Sequence, residues 1–379
     1  MKKLFLTLTV IILSISFYPV KAMEKTADIL KKNVVTTGDG LYVDNTVDGR
    51  YIYKGGNPNN YIRLGDDLYR IISVEKDGTI KVIKQDSIGS MAWDEKNARY
   101  STNSADFCTS IYGCKAWGSN TTTLDSNGNK ITQMPWEVNG TLRNLPDKEA
   151  TLNTYLNNEF YNSLSDDVKS LVIEKIWNVG PTAWNQVNLS ESIKEESAYR
   201  WKGKVALMNA TDYVKASTNS ACSSVQKYMA PYLSGDSSCY NSSSTHNYLY
   251  SSNWPWIVSP FANSYARFVF LVGSSGDLHY DYAGYGGGVR PALFLSAKTT
   301  LNGEGSEADP YKVSKYIEEV KEEPKDEESN NKDEVKVDNG QIVEVPSTSA
   351  FGSIIIAGLG IACVTGSAVI MRKTTKNKK

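Results

Sequence analysis

Between Trp254 and Leu295 the chain carries three strand-like runs separated by loops crowded with Asn, Ser, Tyr and Gly, and this stretch limits the possible folds more than any other. Trp254–Ser259 is aromatic and β-branched, Ala266–Val272 is almost continuously apolar, and Val289–Leu295 is apolar again behind Gly286, Gly287 and Gly288. Strands apolar on both faces belong in the middle of a buried sheet. The segments between them, Phe261–Tyr265 and Ser274–Tyr285, place Tyr among polar residues, and Tyr offers a large contact area at small entropic cost. They read as loops presenting an exposed recognition face on a rigid core, with Phe261, Asn263, Tyr265, Tyr280, Tyr282 and Tyr285 as candidate ligand-binding residues. The plainer alternative, a core with loops that only keep it soluble, stays open at this point.

Both ends of the 379-residue chain are taken by segments of another kind. Residues 1–22 join Lys2-Lys3, an apolar run from Leu4 to Phe17 and a small-residue exit at Ala22, the pattern of a secretory signal peptide. Phe351–Met371 is uncharged, apolar and about as long as a spanning helix requires. The basic tail 372–379 follows it, so the tail is expected in the cytoplasm and everything before Phe351 outside. Residues 314–344 are charge-dense and almost without aromatics; too little apolar surface remains to fold, and a disordered acidic stalk is expected. Between stalk and span, 345–349 read Val-Pro-Ser-Thr-Ser. A short Pro-Thr motif, an apolar span and a basic tail resemble the cell-wall sorting signal of Gram-positive surface proteins, which a sortase cleaves after Thr. Pro346 and Thr348 match it, whereas Val345 and Ser349 stand where Leu and Gly are usual. Coupling to the wall by a sortase and a plain membrane anchor are both compatible with these residues, and both put the protein on the cell surface.

With 23–40 as an N-terminal linker, 41–313 is left as the folded ectodomain. Leu41–Tyr53 divides around Asp48-Gly49, and Leu68–Val74 with Thr79–Lys84 predicts a hairpin in a sheet with one wet face. Residues 87–144 lose periodicity, with Trp93, Trp117 and Trp136 as packing anchors. Helical spacing follows at Leu152, Tyr155, Leu156 and Phe160, then at Leu164, Val168 and Leu171 after a Ser165 cap. Trp201–Asn209 reads as another strand and Thr211–Lys215 as helical, so the fold class is α+β with an antiparallel sheet and two main helices. The five Cys fall as Cys108 with Cys114, Cys222 with Cys239, and Cys363 alone in the span. An exported chain meets an oxidising compartment, so two loop-closing disulfides are expected. Three pairings are formally open, the local one being simplest. Metal ligation fits poorly, because zinc sites favour closer Cys spacing or His partners and only His246 and His279 are present.

YIRLGDDLYRIISVEKDGTIKVI, LNTYLNNEFYNSL, WPWIVSP, YGGGVRPALFL and LNGEGSEADPYKV occur in that order. Together they resemble a family of exported Gram-positive-type domains of unknown function with a C-type-lectin-like fold related to formylglycine-generating enzymes. The resemblance implies a structural role for Trp254, Trp256, Ser259, Pro260 and for Gly288, Val289, Arg290, Pro291. It does not carry over the lectin calcium triplets, which are absent, nor the reactive Cys pair of formylglycine generation, because Cys239 precedes the Trp254 strand.

The net charge of −1 and the lack of a basic stripe interleaved with aromatics outside the termini argue against nucleic-acid binding. Catalytic candidates are sparse: His279 beside Asp277 and Asp281, Ser274 and Ser275 nearby, and Asp94, with no nucleophile-elbow context. The leading expectation is a non-enzymatic, cofactor-free surface protein of adhesin or receptor type, partnered by an extracellular glycan or protein ligand and held to the membrane by its C-terminal helix. An enzyme of formylglycine-generating or cryptic hydrolase type and a structural cell-envelope spacer are the alternatives.

Overall fold

The computed structural model describes residues 23–95, 113–138, 141–229, 239–240, 243–262 and 266–317, with backbone alone for 135–138 and 141. The expected signal peptide, nearly all of the stalk, Pro346 and Thr348, the span 351–371 and the basic tail lie outside these residues, as do Cys108, Asn263 and Tyr265. Among the described residues no helix is long and apolar enough to cross a membrane.

The described body is α+β, rich in strands with few helices. A curled ten-stranded sheet runs in the order Val172–Ile173, Ala292–Leu295, Ile80–Lys84, Asp67–Val74, Tyr61–Leu64, Tyr311–Lys315 and Thr299–Asn302. Neighbours on this path are antiparallel except Tyr311–Lys315, which lies parallel to Tyr61–Leu64. The hairpin Gly40–Val43 with Tyr51–Lys54 joins through Asp67–Val74, and Val205–Ala206 adds to Ala292–Leu295. The predicted hairpin is present: its arms are Asp67–Val74 and Ile80–Lys84, closed by the Glu75 N–H to Thr79 carbonyl and Thr79 N–H to Asp77 carboxylate bonds around Gly78 at φ 81°. Its expected wet face is a correction, because Ile80, Lys81, Val82 and Ile83 are all buried. Lys81 tolerates burial because it is ion-paired, and so the apolar alternation is broken without exposing that face.

Two smaller sheets cross the body. One orders Thr182–Ala183, Trp256–Ala262, Phe268–Val272 and Leu278–Tyr282; the other orders Lys175–Asn178, Tyr199–Gly203 and Thr123–Asp125. The three apolar runs of the 254–295 stretch are strands as expected, buried along most of their length. Helix Thr151–Tyr155 continues through a π turn at Leu156–Phe160 into Tyr161–Ser163 and buries Leu152, Leu156 and Phe160. Helix Asp166–Leu171 begins where Ser165 accepts from the Val168 N–H, with Asp166 and Asp167 set against the positive end of its dipole. The described residues add helices Thr26–Lys31, Leu189–Ser197, Ala210–Lys215, Val225–Tyr228 and Ser243–His246. Thr26–Lys31 buries Ala27 and Leu30 in the core, so 23–40 is part of the folded body rather than a linker.

Trp93 and Trp117 anchor the aperiodic region as expected, fully buried with ring centroids 5.2 Å apart, and Trp93 Nε1 donates to the Ile257 carbonyl at 3.0 Å. The side chain of Trp136 lies outside the described residues. Cys222 and Cys239 form a disulfide. Cys114 is buried and disulfide-bonded as well.

Candidate functional site

The face expected to carry recognition is built on an edge strand. Among the described residues Leu278–Tyr282 pairs only with Phe268–Val272 in its sheet, register Phe268↔Tyr282 and Phe270↔Tyr280, so Tyr280 and Tyr282 share one face with Phe268 and Phe270. The segment expected to be a loop, Ser274–Tyr285, therefore carries a strand at Leu278–Tyr282 with turns on either side. Tyr280 stacks on Phe261 at 4.2 Å between centroids, Tyr282 stacks on Phe268 at 4.9 Å, and Tyr285 meets Tyr282 edge-on at 5.0 Å. The Arg267 guanidinium lies 5.3 Å from the Tyr282 ring centre. Phe261, expected to be exposed, is only 6% exposed and packs edge-on against Phe270; it supports the face from beneath. Tyr285 is 40% exposed, and Tyr280 and Tyr282 are half-buried.

Two glycines let the neighbouring segments close on this sheet. A Cβ on Gly287 would lie 2.6 Å from the Trp256 ring, and one on Gly288 would lie 2.4 Å from the Asn253 carbonyl oxygen. Nothing larger than glycine fits there, which lets Gly286–Gly288 pair with Ser90–Ala92 while Trp256 Nε1 donates to Met91 at 2.8 Å. Trp254, at φ 51° and 41% exposed, stands edge-on to His279 at 5.5 Å.

The residues weighed for catalysis do not assemble a nucleophile and base. Ser275 donates to Asp277 at 2.8 Å, and His279 Nδ1 is 3.7 Å from the other Asp277 oxygen, beyond hydrogen-bond reach. Asp94 is buried and accepts from the Cys114 and Thr151 N–H groups. Arg290 is buried and donates to the carbonyls of Lys84 and Leu249, the structural role its Gly-rich surroundings suggest. Among the described residues no group of three His, Cys, Asp or Glu is placed to hold a metal.

Sequence reasoning missed a second constellation, a buried ionic web around helix Ala210–Lys215. Asp212 accepts from Lys81 at 2.5 Å and Arg50 at 2.9 Å and closes a capping box with Asn209. Lys215 pairs with Asp44 at 2.7 Å, and Arg50 Nε is 3.4 Å from Glu75. Burial alone would raise the Asp212 carboxyl, but Lys81 and Arg50 outweigh it and hold the group well below the usual range. Glu196 differs. It accepts from Ser259 at 2.6 Å and from the Thr211 hydroxyl and N–H, with no cation against it among the described residues, and burial pushes its carboxyl up to about 7. Arg50, Glu75, Lys81, Glu196 and Asp212 line a cavity of about 170 Å³ walled by Trp177 and Phe294. Its charges are satisfied from within the chain, which marks it first as architecture. The readable signal was Asn209-Ala-Thr-Asp212, a cap-and-carboxylate spacing ahead of an apolar pair.

Comparison with protein families now adds one finding. The model of a family described as Domain of unknown function (DUF6273) matches residues 142–297, a span that includes the aromatic face and, of the ionic web, Glu196, Asp212 and Lys215. No curated protein and no solved structure matches the chain significantly.

Proposed function

We propose that the protein is a surface-displayed binding protein whose C-type-lectin-like ectodomain presents the Tyr280–Tyr282–Tyr285 face to an extracellular glycan or protein. The observation that carries this reading is the half-exposed aromatic cluster on an edge strand, underpinned by buried Phe261 and flanked by Arg267. Aromatic faces stack on sugar rings and anchor protein interfaces, and a face whose rings are already packed loses little freedom on binding. Export and anchoring follow from the terminal segments. The signal peptide delivers the chain, the acidic stalk lifts the body from the envelope, and the apolar span or the Pro346/Thr348 motif holds it there.

The test uses glycan and protein arrays followed by titration of any ligand found. Tyr282→Ala/Tyr285→Ala should weaken binding about tenfold or more while the melting temperature moves by only a few degrees. Tyr280 is left intact in that variant because it is stacked on the core. A double variant that binds like the parent rejects the face.

A further inference from the structure

A groove lies away from the aromatic strand, beside the Cys222–Cys239 disulfide. It encloses about 530 Å³ and is formed by residues 36–38, Tyr42, Lys54, Leu189 and residues of the turn 214–223. That volume lies within the range of small-ligand sites. Hydroxyl groups dominate its walls, among them those of Thr36, Thr37, Tyr42, Ser217 and Thr218, and no carboxylate occurs among its described lining residues. Two ammonium groups line it. Lys215 is committed to Asp44 at 2.7 Å and to Thr46 at 3.0 Å. Lys54 is not: among the described residues it forms no ion pair, and its Nζ lies 5.1 Å over the Tyr42 ring, whose hydroxyl donates to the Gly38 carbonyl at 2.5 Å.

We propose that this groove is a second binding site, for a hydroxyl-rich anion of the acidic-saccharide class, with Lys54 receiving the acidic group and the surrounding hydroxyls the sugar. The polarity supports this assignment. The Lys54 ammonium is half-buried, and the Asp44 carboxylate that acts on it is already paired with Lys215; burial outweighs Asp44 and pulls the ammonium below its usual range, a desolvation cost that an incoming anion offsets. Walls rich in hydroxyl donors, with no acid among the described lining residues, select against cations. Rigidity supports it too: the Ser217 hydroxyl is held between His246 Nδ1 at 2.8 Å and the Asn219 N–H at 3.0 Å, and the disulfide ties the far end of the turn. The groove is thus formed before a ligand arrives.

The acidic group could be a uronic carboxylate or a phosphate ester, and calorimetry on the purified full chain separates these. Glucuronate, glucose 6-phosphate, glucose and inorganic phosphate serve as probes. At least one acidic saccharide should bind, more weakly as salt rises, with glucose and inorganic phosphate both weaker. Lys54→Met should lose about ten- to a hundredfold in affinity, as expected for one charge-assisted hydrogen bond, without lowering the melting temperature, whereas Lys54→Arg retains binding. Tyr282→Ala/Tyr285→Ala should leave this binding unchanged, which separates it from the aromatic face. Failure of both acidic saccharides to bind, equal binding of glucose or of inorganic phosphate, or undiminished binding by Lys54→Met overturns the proposal.

Discussion

Glu196→Gln should make the protein more stable above neutral pH. The carboxyl is 1% exposed, its oxygens accept from Ser259 and Thr211, and burial raises it to about 7 from an ordinary 4.5. A carboxylic acid raised in the folded state keeps a proton that the unfolded chain has already released. Folding is therefore favoured by this group at low pH, and its contribution falls as pH rises from about 4.5 to about 7 and then levels off. At 1.36 kcal/mol per unit, the difference between those values amounts to about 3 kcal/mol as an upper limit. Gln keeps an acceptor for Ser259 and the Thr211 N–H, turns its amide to donate to the Thr211 hydroxyl, and never ionises. Urea unfolding of parent and variant, followed by tryptophan fluorescence from pH 4 to pH 9, measures the difference directly. The two should be nearly equal at the acid end, and the variant should gain up to about 3 kcal/mol above neutrality, or roughly 6 °C in melting temperature. A parent-to-variant difference that does not change with pH, or that grows toward acid, refutes the assignment of a neutral Glu196.

The ionic web yields a related expectation: Lys81→Ala leaves Asp212 short of a buried partner and should cost about 3–5 kcal/mol, whereas Lys81→Met/Asp212→Asn should recover at least half of that loss. Equal destabilisation by the single and double variants in denaturant titrations would show that packing, not charge, sets the cost. Cys222→Ser/Cys239→Ser opens a closure of 17 residues and should cost about 3 kcal/mol, read as a lower urea midpoint under non-reducing conditions; an unchanged midpoint would mean that this bridge constrains nothing.

The sequence made visible what depends on local pattern. Apolar runs became strands at Trp256–Ala262, Phe268–Val272 and Ala292–Leu295, and the Ser165 cap began its helix at the expected residue. What stayed hidden depends on distant partners. His279-Tyr280-Asp281-Tyr282 lacks β-branched residues and reads as loop, yet four register pairs with Phe268–Leu271 hold it as a strand. The Trp256 strand runs on to Ala262, which carries Phe261 inward onto Phe270. Lys81 reads as an outward residue opposite Ile80 and Val82, yet it is buried, and its partner Asp212 is 131 residues away. Helix Leu189–Ser197 offers few apolar positions; what places it is Glu196, whose carboxyl meets Ser259 from 63 residues off.

Distant pairing also decides what can fold alone. The family match begins at 142 and ends at 297, and its last strand, Ala292–Leu295, lies between Val172–Ile173 on one side and Ile80–Lys84 on the other. The second neighbour is outside the match. So are Arg50, Lys81 and Asp44, which neutralise Asp212 and Lys215 inside it. Cutting the chain to 142–297 would expose one edge of an apolar strand and leave Asp212 and Lys215 buried without counter-charges, two faults that each cost several kcal/mol or invite edge pairing. The hairpin arms Tyr51–Lys54 and Ile80–Lys84 therefore belong to the same cooperative body as the strand Leu278–Tyr282. Changes at Arg50 or Lys81 should loosen the aromatic face through the ionic web, which reaches the Trp256–Ala262 strand at Ser259, rather than through any contact with ligand.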